Sequence, residues 1–291
     1  MHLLSIPWNP DEVLLNLGPI QIRYYSLMFI IAFSLGYYIM KRIYEKEGVP
    51  LEYLDSLFMY SVIATLLGAR LGEVFFYNWA HYQDHLVEIL LPIKEDPNST
   101  LFGFIQGYKF TGFAGLASHG AAVGVIFAMY LHRRKHTYKS LLWILDRIVI
   151  PVAIGGVFVR IGNFFNSEIV GKYTNSDFGI VFQGRGDTLP RHPAQLYEAF
   201  CYIFVFIILG YIYLKTEKKN KPGYLFGLFL VLLWTIRFCV EFVKESQGGF
   251  EDKLFGGLLS TGQWLSIPFI IVGFYFMFRK TEDVPVESAK K

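Results

Sequence analysis

Apolar residues in this chain come in long uncharged blocks. Phe110 to Leu131 runs 22 residues without Asp, Glu, Lys or Arg, and Leu254 to Phe278 runs 25. About 20 apolar residues carry a helix across a bilayer core, so each block is long enough to span it. Tyr24 to Met40 adds 17 uncharged residues, closed by Lys41 and Arg42. Four more apolar stretches are interrupted by charge: Asp55–Asn78, Ile144–Asn166, Gln195–Leu214 and Pro222–Val243. The pattern predicts an all-α, polytopic membrane protein with seven transmembrane helices. Two connecting stretches, 79–109 and 167–194, are long enough to build a small extracytoplasmic cap. The first contains WAHYQDHLVEILLPI, which reads as an amphipathic helix lying at the interface. The second is turn-rich, with Gly184, Gly186, Pro190 and Pro193.

Composition supports the membrane assignment. The chain is 53% hydrophobic and only 18% charged, whereas soluble domains carry about 25% charged residues. Disorder, a collagen-like repeat and a soluble cytosolic enzyme all fit poorly. A net charge of +3 is too small to imply a polyanion, so no nucleic-acid partner is expected. Of the 27 Lys and Arg, 15 follow spans 1, 3, 5 and 7, and seven lie on the opposite side. The positive-inside rule therefore places the N-terminus outside and the C-terminus in the cytoplasm. The opening MHLLSIPWNPDE has no basic n-region and two prolines, so a cleaved leader is not expected. Residues 1–280 read as one membrane domain and 281–291 as a disordered cytoplasmic tail. Cys201 and Cys239 fall inside spans and read as buried, inert thiols. Asn98-Ser99-Thr100 matches a glycosylation sequon by pattern only.

Charges at membrane depth carry the chemistry, because one at mid-bilayer costs at least about 2.5–3.5 kcal/mol. Those at issue are Arg70, Glu73, Asp146, Arg147, Arg160, Glu198, Arg237 and Glu241. Arg70/Glu73 and Arg237/Glu241 are spaced to share a helix face, where each pair could neutralise itself and fix packing. Arg160 opens a polar stretch, RIGNFFNSEIVG; on a continuous helix Arg160, Asn163, Ser167 and Gly171 lie within about 60° of one another. Asn166 and Glu168 flank that face, which lines a cavity or forms a polar seam. His119 lies among small residues in GLASHGAAVG, which favour close helix packing or leave room for a substrate. No HExxH, CxxC, P-loop or GxSxG pattern occurs, so neither metal nor cofactor is expected. Arginines in a cavity open to the outer leaflet suit an anionic phospholipid, since guanidinium forks bind phosphate oxygens bidentately. An enzyme, an anion transporter or flippase, and a structural seven-helix protein remain the three classes, although no inverted repeat supports the second.

Six blocks together carry a resemblance. VRIGNFFNSEIVGKYT (159–174) resembles the signature of the prolipoprotein diacylglyceryl transferases, and GARLGEVFFYN (68–78), SHGAAVG (118–124), RHPAQLYE (191–198), RFCVEFVKE (237–245) and STGQWLSIP (260–268) are similar to that family's other blocks, in its order. The resemblance implies a seven-helix bacterial inner-membrane enzyme that moves diacylglycerol from phosphatidylglycerol to the lipobox cysteine of a prolipoprotein, releasing glycerol 1-phosphate. Its partners are then phosphatidylglycerol, prolipoprotein signal peptides and the lipid bilayer, with a monomer expected. By the family pattern His119 and Tyr25 match the essential histidine and tyrosine. Arg160 and Arg237 match the phosphate-binding arginines, and Asn163, Glu168, Gly171 and Glu241 match further substrate-site positions. Ala121, Val159 and Ser167 depart from the pattern, which bears on pocket shape rather than on the charged chemistry.

Overall fold

In lipid every backbone N–H and C=O must find a partner within its own segment, which is why the uncharged blocks become helices. The computed structural model describes residues 6–17, 20–76, 78–101, 103–110, 117–245 and 259–280, without the side chains of Ile20, Phe76, Ser118 and His119. In order these form β1 (Ile6–Trp8), β2 (Val13–Leu17), β3 (Ile20–Arg23), α1 (Tyr24–Lys46), α2 (Leu51–Phe76), α3 (Trp79–Tyr82), α4 (Val87–Leu90), β4 (Ile93–Leu101) and β5 (Ile105–Phe110). There follow α5 (Ser118–Lys135), α6 (Leu141–Phe165), β6 (Ile180–Phe182), α7 (Ala194–Lys215), α8 (Tyr224–Val240) and α9 (Thr261–Phe278). The protein is mostly helical rather than wholly so, and its short strands lie outside the apolar blocks. Helices α1, α2, α6, α7 and α9 are long and apolar enough to cross a membrane, as expected of a multi-pass membrane protein. Helix α8 is apolar but 17 residues long. Helix α5 ends in His132-Arg133-Arg134-Lys135, and the first residues of its predicted span, 111–116, lie outside the described set.

The described residues form two compact units, one drawn from 6–12, 24–36 and 145–280, the other from 13–23 and 37–144. In the first unit α8 and α9 meet backbone to backbone: a Cβ on Gly227 would lie 2.6 Å from the Gly273 carbonyl oxygen. Trp234 stacks on Phe269 beside this contact, with centroids 4.1 Å apart. Asp146 is buried because its carboxylate caps α8, accepting from Gly223 N at 2.7 Å and Phe226 N at 2.9 Å. Strands β1 and β6 pair in parallel, Ile6 opposite Ile180, over a small core of Phe164, Val170, Ile180 and Phe182. Cys201 and Cys239 are free, but Cys239 is exposed rather than buried, since its position on α8 turns outward.

In the second unit α2 packs on α5 through two small-residue runs, Gly68-x3-Gly72 and Gly120-x3-Gly124. A Cβ on Gly72 would stand 2.7 Å from Gly120 Cα, too close for any side chain. The predicted amphipathic helix at 79–93 is instead two single turns, α3 and α4, followed by the β4–β5 hairpin. Arg70 supplies the reason. Its guanidinium donates to the carbonyls of Glu88 (2.5 Å) and Ile89 (3.2 Å), acceptors that a continuing helix would use itself. Glu73 takes a different partner, Asn78 Nδ2 at 2.6 Å, so the Arg70/Glu73 pair that spacing allowed does not form.

Candidate functional site

The polar stretch at the end of α6 is not a continuous helical face. The helix stops at Phe165, and Ser167 and Ile169 take left-handed backbone conformations (φ 52° and 58°). Glu168 N still reaches back to the Asn163 carbonyl at 3.0 Å, so the chain folds over its own helix end. That turn returns the Glu168 carboxylate to the helix, where it accepts from Asn163 Nδ2 at 2.6 Å. Asn163 Oδ1 in turn accepts from Arg160 at 3.0 Å. Ser167 and Gly171 therefore leave the face predicted for them.

Arg160 is 8% exposed and forms an ion pair with Glu198 of α7, which is 2% exposed. Tyr202, one turn further along α7, faces Arg160 and interacts with its charge. Gln195, one turn earlier, donates to the Glu168 carbonyl at 2.5 Å. Tyr25, in the first turn of α1, packs its ring against Gly162 and lies within electrostatic reach of Glu168, Arg160 and Asn163. Gly162 makes this approach feasible, since a Cβ there would stand 2.7 Å from the Tyr25 ring. Tyr24 stacks on Phe165 at 4.5 Å and pins the start of α1 to the end of α6.

A second group surrounds the end of α8. Arg237 is half-buried, and among the described residues its guanidinium makes one contact, over the Trp234 ring at 5.1 Å. Glu241, one turn on, does not pair with it. The Glu241 carboxylate accepts from Lys244 Nζ at 3.3 Å and lies against Gly262 in the first turn of α9, where a Cβ would come within 2.7 Å of both oxygens. The start of α9 is set by a capping box: Gln263 N donates to Ser260 Oγ at 3.2 Å and Ser260 N to Gln263 Oε1 at 3.0 Å. A carboxylate at a helix N-terminus is stabilised by the aligned peptide dipoles. Burial, with help from the charges of Arg237 and Arg160, pulls the Lys244 ammonium below the ordinary lysine range, against Glu241 and Glu198. Gly171 joins the two groups through backbone. Its N–H donates to the His192 carbonyl at 2.8 Å, it bridges to Lys244, and a Cβ would stand 2.6 Å from His192.

Arg160, Asn163 and Glu168 are thus joined directly with Tyr25 beside them, and Arg237, Glu241 and Gly171 belong to the same unit. His119 lies in the first turn of α5, in the other unit, with its side chain outside the described set. Glu198 as the partner of Arg160, together with Gln195, Tyr202, Gly162, Lys244 and Gly262, was not anticipated. Two signals could have found some of them. Gln195, Glu198 and Tyr202 share helical spacing, and Ser260-x-x-Gln263 is a capping-box pattern. Among the described residues, no three His, Cys, Asp or Glu are grouped to hold a metal ion.

A sequence profile of prolipoprotein diacylglyceryl transferase matches residues 12–279. The chain belongs to that family. It is 42% identical over 276 residues to the phosphatidylglycerol–prolipoprotein diacylglyceryl transferase of Tolumonas auensis, covering 95% of this chain and 98% of the relative. The Bacteroides fragilis protein of that name matches at 42% over 276 residues, 95% of each. The one from Chloroherpeton thalassium matches at 36% over 281 residues, 97% of this chain and 96% of the relative. As a prolipoprotein diacylglyceryl transferase, the chain is a bacterial membrane enzyme, and the network around Arg160 and Arg237 falls within its matched region.

Proposed function

We propose that this chain transfers the diacylglyceryl group of phosphatidylglycerol to the thiol of a prolipoprotein's lipobox cysteine, the first step of lipoprotein maturation. The observation that carries the reading is Arg237, a half-buried guanidinium with no carboxylate partner among the described residues, in the same unit as Arg160. A buried or half-buried cation without a counter-ion is costly until an anion arrives. A phosphodiester supplies one negative charge, and the departing phosphomonoester approaches two. Two guanidiniums therefore hold the leaving group better at the transition state than in the bound lipid, which is the condition for catalysis.

In this scheme the cysteine sulfur bonds to the glyceryl carbon that carries the phosphate, and the C–O bond breaks. The electron pair of that bond leaves on glycerol 1-phosphate. His119 takes the thiol proton; a thiol with pKa about 8.5 must become thiolate to attack. Arg160 and Arg237 bind the phosphate, and Tyr25, Asn163 and Glu168 hold the headgroup beside Arg160. Gly171 and Glu241 shape the site. Seven spans, an outside N-terminus, a cytoplasmic C-terminus, a cap from 79–109 and 167–194, one membrane domain over 1–280 and a monomeric enzyme complete the proposal.

The test is to incubate the detergent-purified protein with phosphatidylglycerol and a lipobox peptide and weigh the peptide. One added diacylglyceryl group, with glycerol 1-phosphate released and no gain on a Cys→Ser peptide, is expected. A peptide of unchanged mass beside a folded, lipid-loaded protein would reject the reading in favour of transport or binding.

A further inference from the structure

Helical spacing alone would pair Glu241 with Arg237. They stand four residues apart, and Glu241 keeps helical angles (φ −59°, ψ −24°) at the end of α8. In the structure the carboxylate goes elsewhere, to Lys244 Nζ at 3.3 Å and the first turn of α9 at Gly262. Lys244 is itself fixed. It is 8% exposed, its N–H donates to the Val240 carbonyl at 3.1 Å, and its backbone bridges to Gly171. Among the described residues the Arg237 guanidinium lies over the Trp234 ring and forms no ion pair.

We propose that Lys244 is a positioning residue: by neutralising Glu241 and holding it at the start of α9, it keeps the Arg237 guanidinium open for the phosphate of the lipid. The inference rests on the functional reading above and adds a division of labour between two cations. One balances the protein's own carboxylate, and the other is kept for the substrate. Without the ammonium, Glu241 becomes a second anion competing for Arg237, one helical turn away. The penalty then falls on lipid binding rather than on bond breaking, because the phosphate must displace the carboxylate before either chemical step.

The experiment compares wild type, Lys244→Met, Lys244→Gln and Lys244→Arg as full-length protein in mixed micelles with phosphatidylglycerol and a lipobox peptide. The two neutral variants are expected to raise KM for the lipid about tenfold, the effect of losing one charge-assisted contact. Their kcat should stay within about twofold of wild type, and glycerol 1-phosphate should inhibit them about tenfold less well. Lys244→Arg, which keeps the charge, should restore both values. Lys244→Gln carries the comparison if Lys244→Met does not fold. Wild-type KM in the neutral variants, a loss confined to kcat, or an arginine variant as impaired as the methionine one each overturns the proposal. A wild type that transfers nothing instead refutes the functional reading itself.

Discussion

Replacing Glu198 by Gln tests how Arg160 is held. The two side chains are 2% and 8% exposed and form an ion pair, so the substitution removes a buried charge and leaves its partner. Breaking a buried pair from one side costs about 3–5 kcal/mol. Gln still offers a carbonyl oxygen to the guanidinium, a bond of about 1 kcal/mol, so the net loss is about 2–4 kcal/mol. Asn163 remains as a neutral acceptor and does not replace the charge. Thermal unfolding followed by tryptophan fluorescence in detergent should then fall by roughly 5–10 °C. The same loss makes a second, sharper expectation. An anionic lipid supplies the counter-charge that Glu198 no longer provides, so phosphatidylglycerol should raise the melting temperature of Glu198→Gln more than that of wild type. Equal stability of the two proteins without lipid, or equal gains with it, would show that Arg160 is not the buried, carboxylate-balanced cation described here.

Three further outcomes follow from the same geometry. Gly262→Ala places a methyl 2.5 Å from the Glu241 carboxyl carbon, and steady-state kinetics should show kcat/KM lower by about tenfold or more with the protein still folded; unchanged kinetics would mean that the Glu241 position does not matter. Arg237→Lys keeps the charge but loses the planar fork, so kcat/KM for phosphatidylglycerol should drop about 10–100-fold, and a fully active lysine variant would argue against bidentate phosphate binding. The last concerns the 79–95 segment. A hydrogen bond to the His81 carbonyl, and then the nearby carboxylates, raise the His85 imidazole above its ordinary value. Burial alone would raise the Glu88 carboxyl, but the Glu95 amide and His81 outweigh it and hold it below the usual range. The histidine contribution is complete below about pH 6.5 and is lost as pH rises through the raised value; the carboxylate contribution is complete above about pH 4.3 and is lost on acidification through the lowered one. Amide protection across 79–95, measured as exchange relative to the intrinsic rate at each pH, should therefore be greatest near about pH 5–6, and protection that changes monotonically with pH would contradict these pairings.

What the linear chain decided by itself is the set of long apolar helices and the charged chemistry they carry. Long apolar stretches, uncharged for α1 and α9 and interrupted by a few charges for α2, α6 and α7, leave the backbone no partner in lipid but its own helix, so these five were readable as spans from composition and length. Arg160, Asn163, Glu168, Arg237 and Glu241 stood out because charge and amide groups at membrane depth demand a reason. Family motifs added Tyr25 and gave His119 and Gly171, already noticed for their surroundings and spacing, a place in the site.

Tertiary structure decided who pairs with whom. Spacing along a helix allowed Arg70 to pair with Glu73 and Arg237 with Glu241. Instead Arg70 takes the carbonyls of 88 and 89, Glu241 takes Lys244, and Arg160 takes Glu198 from another helix. Local spacing gives such pairs a few tenths of a kcal/mol, whereas leaving a buried charge or carbonyl unmatched costs several times more. For Arg70 and Arg160 a long-range partner therefore outcompetes the neighbour one turn away, whereas Glu241 settles on Lys244, three residues on, and on the start of α9. The same reasoning explains why α6 ends at Phe165 rather than running on to Gly171. The Glu168 carboxylate is better satisfied by turning back to Asn163, a choice that no periodicity along the chain can express.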